Sequence, residues 1–171
     1  MAAYEAIAST TLTTNTQTIT FSSLPTTYKH LQLRVYARGS RTGSADVAGI
    51  RFNSNTSAVY FVHRMSGTTT ATAQFFTGYT YCWLASTLAS PGLSSTVSFN
   101  SCVADILDYG STNKNKTVRA IQGVDTNGNG LVEYVDSTWI NNNAITSITV
   151  FCVNDNFVSG SVFALYGLRS A

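Results

Sequence analysis

Charge is what this chain has least of. Only 11% of its 171 residues are Asp, Glu, Lys or Arg, less than half of the about 25% usual for a soluble domain. Ten basic residues against eight acidic ones leave a net charge of +2, and the basic residues are scattered, with no cluster beyond a pair such as Arg38 and Arg41. A nucleic-acid surface needs a dense basic stripe to neutralise phosphates, so nucleic acid is not an expected partner. Two prolines and twelve glycines exclude a collagen-like or disordered chain. Histidine is scarce, with only His30 and His63. No G-x-S-x-G elbow accompanies them and no acid is placed beside either ring by spacing, so both are expected to be structural and no catalytic residue is assigned.

Cysteine is sparse and odd in number: Cys82, Cys102 and Cys152. No C-x-x-C or Cys/His spacing suggests zinc, and no cofactor or metal is expected. Each cysteine sits in an apolar stretch, which favours three buried thiols and a reducing compartment, with one disulfide plus a leftover thiol as the alternative. No apolar run approaches the ~20 residues of a membrane span. The first residues, MAAYEAIAST, lack the basic start and apolar core of a secretory signal. A protein made in the cytosol and not associated with membrane is the expectation.

What the chain does have is threonine and serine, together about a quarter of the residues, and Thr fits a pleated, half-exposed strand surface. Hydrophobic residues make up 44%, enough for one domain with a real core. Period-two alternation dominates. In KHLQLRVYAR, Leu31, Leu33, Val35 and Ala37 point one way, and His30, Gln32, Arg34, Tyr36 and Arg38 the other. That is the pattern of a strand with one buried and one wet face. Strands are expected at 17–22, 29–38, 47–52, 59–64, 75–84, 97–109, 117–124, 131–139, 145–153 and 162–168, separated by Gly-, Asn-, Ser- and Asp-rich turns. No segment shows a sustained helical period with caps. The fold class expected is all-β: a single-domain β-sandwich, jelly-roll-like, of about ten short antiparallel strands. An N-terminal arm is expected at 1–14 and the sandwich at 15–171.

Three groups of residues are candidates for chemistry. The first is Asp125, Asn127, Asn129, Glu133 and Asp136, with Gly130 at position six. They nearly fit the oxygen spacing of a twelve-residue calcium loop. The flanks TVRAIQGV and LVEYVDSTW are strand-like where such a loop needs helices, so a β-hairpin turning on Asn-Gly is the preferred reading. The second is the carboxylates near strands, Asp105, Asp108, Asp125, Glu133, Asp136 and Asp155, of which a glycosidase would need two facing each other across a cleft. Asp105 and Asp108 fit better as a strand end and its turn. The third is the aromatic run FFTGYTYCW, in which Tyr79, Tyr81 and Trp83 share strand parity. Exposed, that row would stack on sugars or anchor an interface; the preferred reading places it in the sandwich core.

The segments ITFSSLPTTYKHLQLR, DILDYGSTNKNKTVRAIQG and SVFALYGL resemble those of small Thr-rich virion structural proteins of tailed bacteriophages, over about residues 4–168. The resemblance implies a non-enzymatic β-sandwich protein of the virion, made in the host cytoplasm. A head decoration (cement) protein binding across capsomers is the first expectation. A tail-fibre or tail-tip module that recognises host surface glycan is the alternative. The partners implied are the major capsid protein and copies of the chain itself, a homotrimer being favoured. Candidate contact elements are the arm 1–14 and the loops at 38–46 and 66–73.

Overall fold

The computed structural model describes residues 4–93, 97–125 and 130–169. Among them there is no helix, and twelve strands follow one another: β1 (Tyr4–Thr11), β2 (Thr18–Phe21), β3 (His30–Ala37), β4 (Asp46–Phe52), β5 (Tyr60–Gly67), β6 (Ala71–Tyr79), β7 (Cys82–Leu88), β8 (Asn100–Leu107), β9 (Lys116–Asp125), β10 (Gly130–Trp139), β11 (Ile148–Cys152) and β12 (Val162–Leu168). They form an eight-stranded sheet in the order β1-β12-β3-β8-β9-β10-β5-β6 and a four-stranded sheet in the order β2-β11-β4-β7. Every pairing is antiparallel. The chain repeatedly crosses from one sheet to the other, as β2, β4, β7 and β11 are laid between strands of the larger sheet. This is the wound, two-layer arrangement that the alternation and turn spacing predict.

Alternation decides which side of each strand is buried. On β3, Leu31, Leu33 and Val35 face the small sheet, with Phe163 and Leu165 of β12 beside them; all are buried. From the other layer Ile19, Ile50, Phe52, Ile148 and Val150 meet them. Trp139, Tyr60 and Phe52 pack together at one end, with ring centroids 5.6–6.5 Å apart. The three cysteines are free and buried within this core.

Two expectations need correction. The first is the N-terminal arm. Residues 4–11 are β1, paired along β12 from Tyr4↔Leu168 to Thr11↔Val162. Glu5 ties the strand down by accepting from Arg169 Nε (2.7 Å) and the Tyr28 hydroxyl (3.0 Å). The second is the single strand at 75–84. It is two strands in different sheets, because the chain leaves the large sheet after Tyr79 and enters the small one at Cys82. Gly78, at φ 70°, supplies the left-handed residue that this sheet change uses, and the β5–β6 register slips there between Tyr60 and Val62.

Candidate functional site

The face of the large sheet that points away from the small one is not uniformly wet. Strand register places Val103, Ile121, Tyr134 and Met65 directly side by side across β8, β9, β10 and β5. Their exposures are 41, 59, 37 and 57%. Val132, at 67%, and Tyr36, at 52%, flank this row. The next row along the strands is Tyr36, Ser101, Gly123, Val132 and Gly67. Its centre carries almost no side chain, so a groove of about 680 Å³ opens over it. Tyr36 and Phe99, stacked at 5.0 Å and 15°, wall one side. Leu131 and Val132 wall the other, and Thr68, Thr69 and Asp125 supply polar groups.

Beyond the apolar row the same face turns polar. Gln32, Asp105, Arg119, Asp136 and His63 lie in register. Gln32 donates to Asp105 Oδ1 (2.9 Å) and accepts from Arg34 Nε (2.9 Å). Arg119 Nε is 3.7 Å from Asp136 Oδ2. The Arg34 guanidinium sits 4.9 Å from the Tyr166 ring centre. Each of these charged groups thus has a charged, amide or aromatic partner within the face, whereas the apolar row stays open to solvent.

The other side of the same strands holds a buried polar network. The Glu133 side chain is fully buried. It accepts from Ser86 N (2.9 Å), Ser86 Oγ (2.5 Å) and Gln122 Nε2 (3.0 Å). Arg64 Nε approaches its carboxylate at 3.4 Å, while Nη1 donates to Ser86 Oγ at 2.7 Å. Gln122 Oε1 in turn accepts from Asn100 Nδ2 (2.6 Å), whose Oδ1 takes the Ala89 amide (2.5 Å). The network bridges β5, β7, β8, β9 and β10 in place of apolar packing.

This arrangement separates the residues of the candidate calcium spacing. β9 and β10 pair as a hairpin from Asp125↔Gly130 onward, and residues 126–129 lie outside the described residues. Glu133 points into the core network while Asp136 points to the outer face, so the twelve-residue spacing does not converge on one site. The carboxylates are dispersed as well. Asp105 is held by Gln32, and Asp155 accepts from Asn156 in a loop. Asp108, at φ 48°, caps the end of β8 between Lys29 (2.8 Å) and Lys114 (2.5 Å), which hold its carboxyl down at about 2, the Lys114 hydrogen bond being the larger cause. The two histidines stand on β3 and β5 with β8, β9 and β10 between them. His30 Nδ1 accepts from the Asp108 amide (2.9 Å), and His63 packs on Phe75 at 4.3 Å.

The aromatic row at Tyr79, Tyr81 and Trp83 is a corner of the core, as the preferred reading has it. Trp83 is 8% exposed. Tyr79 packs edge-on against it at 5.3 Å and against Tyr81 at 5.7 Å, and burial pushes the Tyr81 hydroxyl up. The loop at 38–46 is pinned by Arg38 Nη1 on Ser98 O (2.8 Å) and Arg41 Nη1 on Ala45 O (3.1 Å). The stretch at 66–73 is mostly the ends of β5 and β6, with only residues 68–70 as a turn.

No family model matches this chain, and no curated protein matches it in sequence. Among solved structures, it is similar to the galectin LEC-6 of Caenorhabditis elegans, with 9% identity, a TM-score of 0.34, and 92% of this chain and 94% of that one covered. It is also similar to scytalido-glutamic peptidase, with 8% identity, a TM-score of 0.28 and coverages of 92% and 66%. The tripod from the baseplate of bacteriophage Tuc2009 shows 9% identity, a TM-score of 0.26 and coverages of 91% and 58%. At these identities and TM-scores the likeness assigns neither a family nor an activity.

Proposed function

We propose that this chain is a non-enzymatic structural protein of a phage particle that binds a neighbouring protein through the outer face of its eight-stranded sheet, with capsid decoration as its role. The observation that carries this is the row Val103, Ile121, Tyr134 and Met65, with Val132 and Tyr36 beside it, left open to solvent. These six side chains expose on the order of 500 Å² of largely apolar area, about the apolar share of one side of a standard interface. At about 25 cal/mol per Å² the gross gain on burial is roughly 12 kcal/mol before ordering costs are subtracted. Low overall charge suits such docking, since few ions need desolvating. The sequence resemblance to virion proteins supplies the setting.

The test is copy number in purified particles, measured by mass spectrometry against the major capsid protein, for the parent chain and for Ile121→Lys. Incorporation in a simple ratio to the capsid protein, lost in the variant while its fold is kept, is expected. A few copies per hundred capsid subunits would overturn the decoration role. In that case the groove over Ser101 and Gly123, walled by the stacked Tyr36 and Phe99, favours glycan stacking. Titration with host surface glycans, repeated on Tyr36→Ala, would decide that second reading.

A further inference from the structure

The two sheets present four edge strands, and three of them carry a device that blocks pairing with another chain. β2 is only four residues long. β7 is mostly buried, Cys82 to Ala85 and Leu88 having almost no exposure. β1 carries Glu5, ion-paired to Arg169, and a register shift between Ala6 and Ala8. Short length, burial, charge and bulges are the ways natural sheets protect their edges.

β6 has none of these over its regular part. It is nine residues long, ATAQFFTGY, with no charged residue and no proline. Its pairing with β5 is in unbroken register from Ala71↔Gly67 to Phe76↔Val62, the irregularity lying beyond Phe76. Residues 71–75 are all exposed, and no described strand lies on the far side of β6.

We propose that β6 pairs antiparallel with β6 of a second copy, joining the two large sheets into one continuous sheet. A second copy is the occupant that this strand fits. A two-fold axis brings the residues next to it close to their own copies, so a charge there would meet its like across the seam; β6 carries none. An axis through Ala73 keeps Ala71, Ala73 and Phe75 on the outer face of both copies. It sets the small Ala71 against the large Phe75 of the second copy and Thr72 against Gln74. It also joins the two apolar rows end to end, because Met65 is the cross-strand neighbour of Ala73. The assembly is a two-fold pair in place of the threefold one that the resemblance implies, and it uses an edge distinct from the docking face.

The experiment is sedimentation velocity over a concentration series on the full chain, Ala73→Lys, Ser9→Lys on the opposite edge and Ile121→Lys on the outer face. The parent is expected to form a two-copy species, with association weakened at least about tenfold in Ala73→Lys and unchanged in Ser9→Lys and Ile121→Lys. A parent that stays single at about 100 µM overturns the proposal. So does an Ala73→Lys chain that associates as well as the parent, or a pair dissolved by Ile121→Lys and not by Ala73→Lys. Should Ala73→Lys fail to fold, amide exchange on the parent decides. Amides of β6 that face away from β5 should exchange slowly at high concentration and fast on dilution; equal rates at both concentrations would refute the pairing.

Discussion

Replacing Glu133 with alanine tests whether the polar network holds the two sheets in register, and its cost follows from the geometry. The carboxylate is fully buried and takes three hydrogen bonds, two from Ser86 and one from Gln122, besides its contact with Arg64. Truncation leaves the Ser86 amide and the Gln122 amide group without an acceptor, at about 1–3 kcal/mol each. Arg64 loses its countercharge, but its side chain is 20% exposed and still reaches the Ser86 hydroxyl, so water offsets part of that loss. The expected destabilisation is about 3–5 kcal/mol, the range for breaking one partner out of a buried ion pair. Against a total of about 5–15 kcal/mol the variant stays measurable. Urea unfolding followed by the fluorescence of Trp83 and Trp139, both buried, gives the number. Arg64→Met should also destabilise, and Arg64→Met with Glu133→Ala should cost less than the two singles added, with a coupling of about 0.5–3 kcal/mol. A loss below about 1 kcal/mol for Glu133→Ala, or strict additivity in the cycle, would refute the network as an organiser of the sandwich.

Other outcomes follow from single contacts. Gly167→Ala places a Cβ within 2.3–2.5 Å of the Tyr28 ring and should lower stability by about 1–3 kcal/mol through overpacking, read as a drop in the urea midpoint. The three thiols should resist a thiol-specific reagent in the native state and react together on unfolding, since all are buried and burial raises Cys102 to about 12 and the other two further; a fast-reacting native thiol would contradict that packing. Asp108 is held at about 2, below its unfolded value of about 3.9, so its stabilising effect is full above pH ~4 and is lost as pH falls towards ~2. Asp108→Asn, which tolerates the same left-handed backbone, should therefore be less stable than the parent at neutral pH and equal to it below pH ~2, by acid titration of the unfolding midpoint.

Strand positions were legible because alternation survives wherever one face is buried. KHLQLRVYAR shows it most cleanly, and β3 runs through it with Leu31, Leu33 and Val35 inside. β1 was not legible, since YEAIASTT pairs through a register shift that scrambles its parity. The break between β6 and β7 was hidden because aromatic residues on both sides of Gly78 read as one strand. Glu133 reads from the sequence as a candidate calcium ligand or glycosidase carboxylate, because nothing local shows that Ser86, forty-seven positions away, donates to it.

The outer apolar row is hidden for a different reason: alternation predicts a polar outer face for a strand, and a single apolar residue on that face carries no signal by itself. On β9 the inward residues are Val118, Ala120, Gln122 and Val124, so Ile121 is off parity. On β10, Val132 and Tyr134 are off parity against the buried Glu133, Val135 and Ser137. A lone off-parity apolar residue on a strand is ordinary. Four of them brought side by side by the registers of neighbouring strands form a surface, and register is a property of pairing that no single strand encodes. At Val103, Ile121, Tyr134 and Met65 each strand supplies one residue that breaks its own pattern, and the sheet order β8-β9-β10-β5 joins them. Moving any one of these strands by a single residue would bury its exposed member and expose its core. The docking face and the core are therefore specified by the same registers. A substitution such as Ile121→Lys, which changes the face without touching the inward parity of β9, is the one that separates binding from folding.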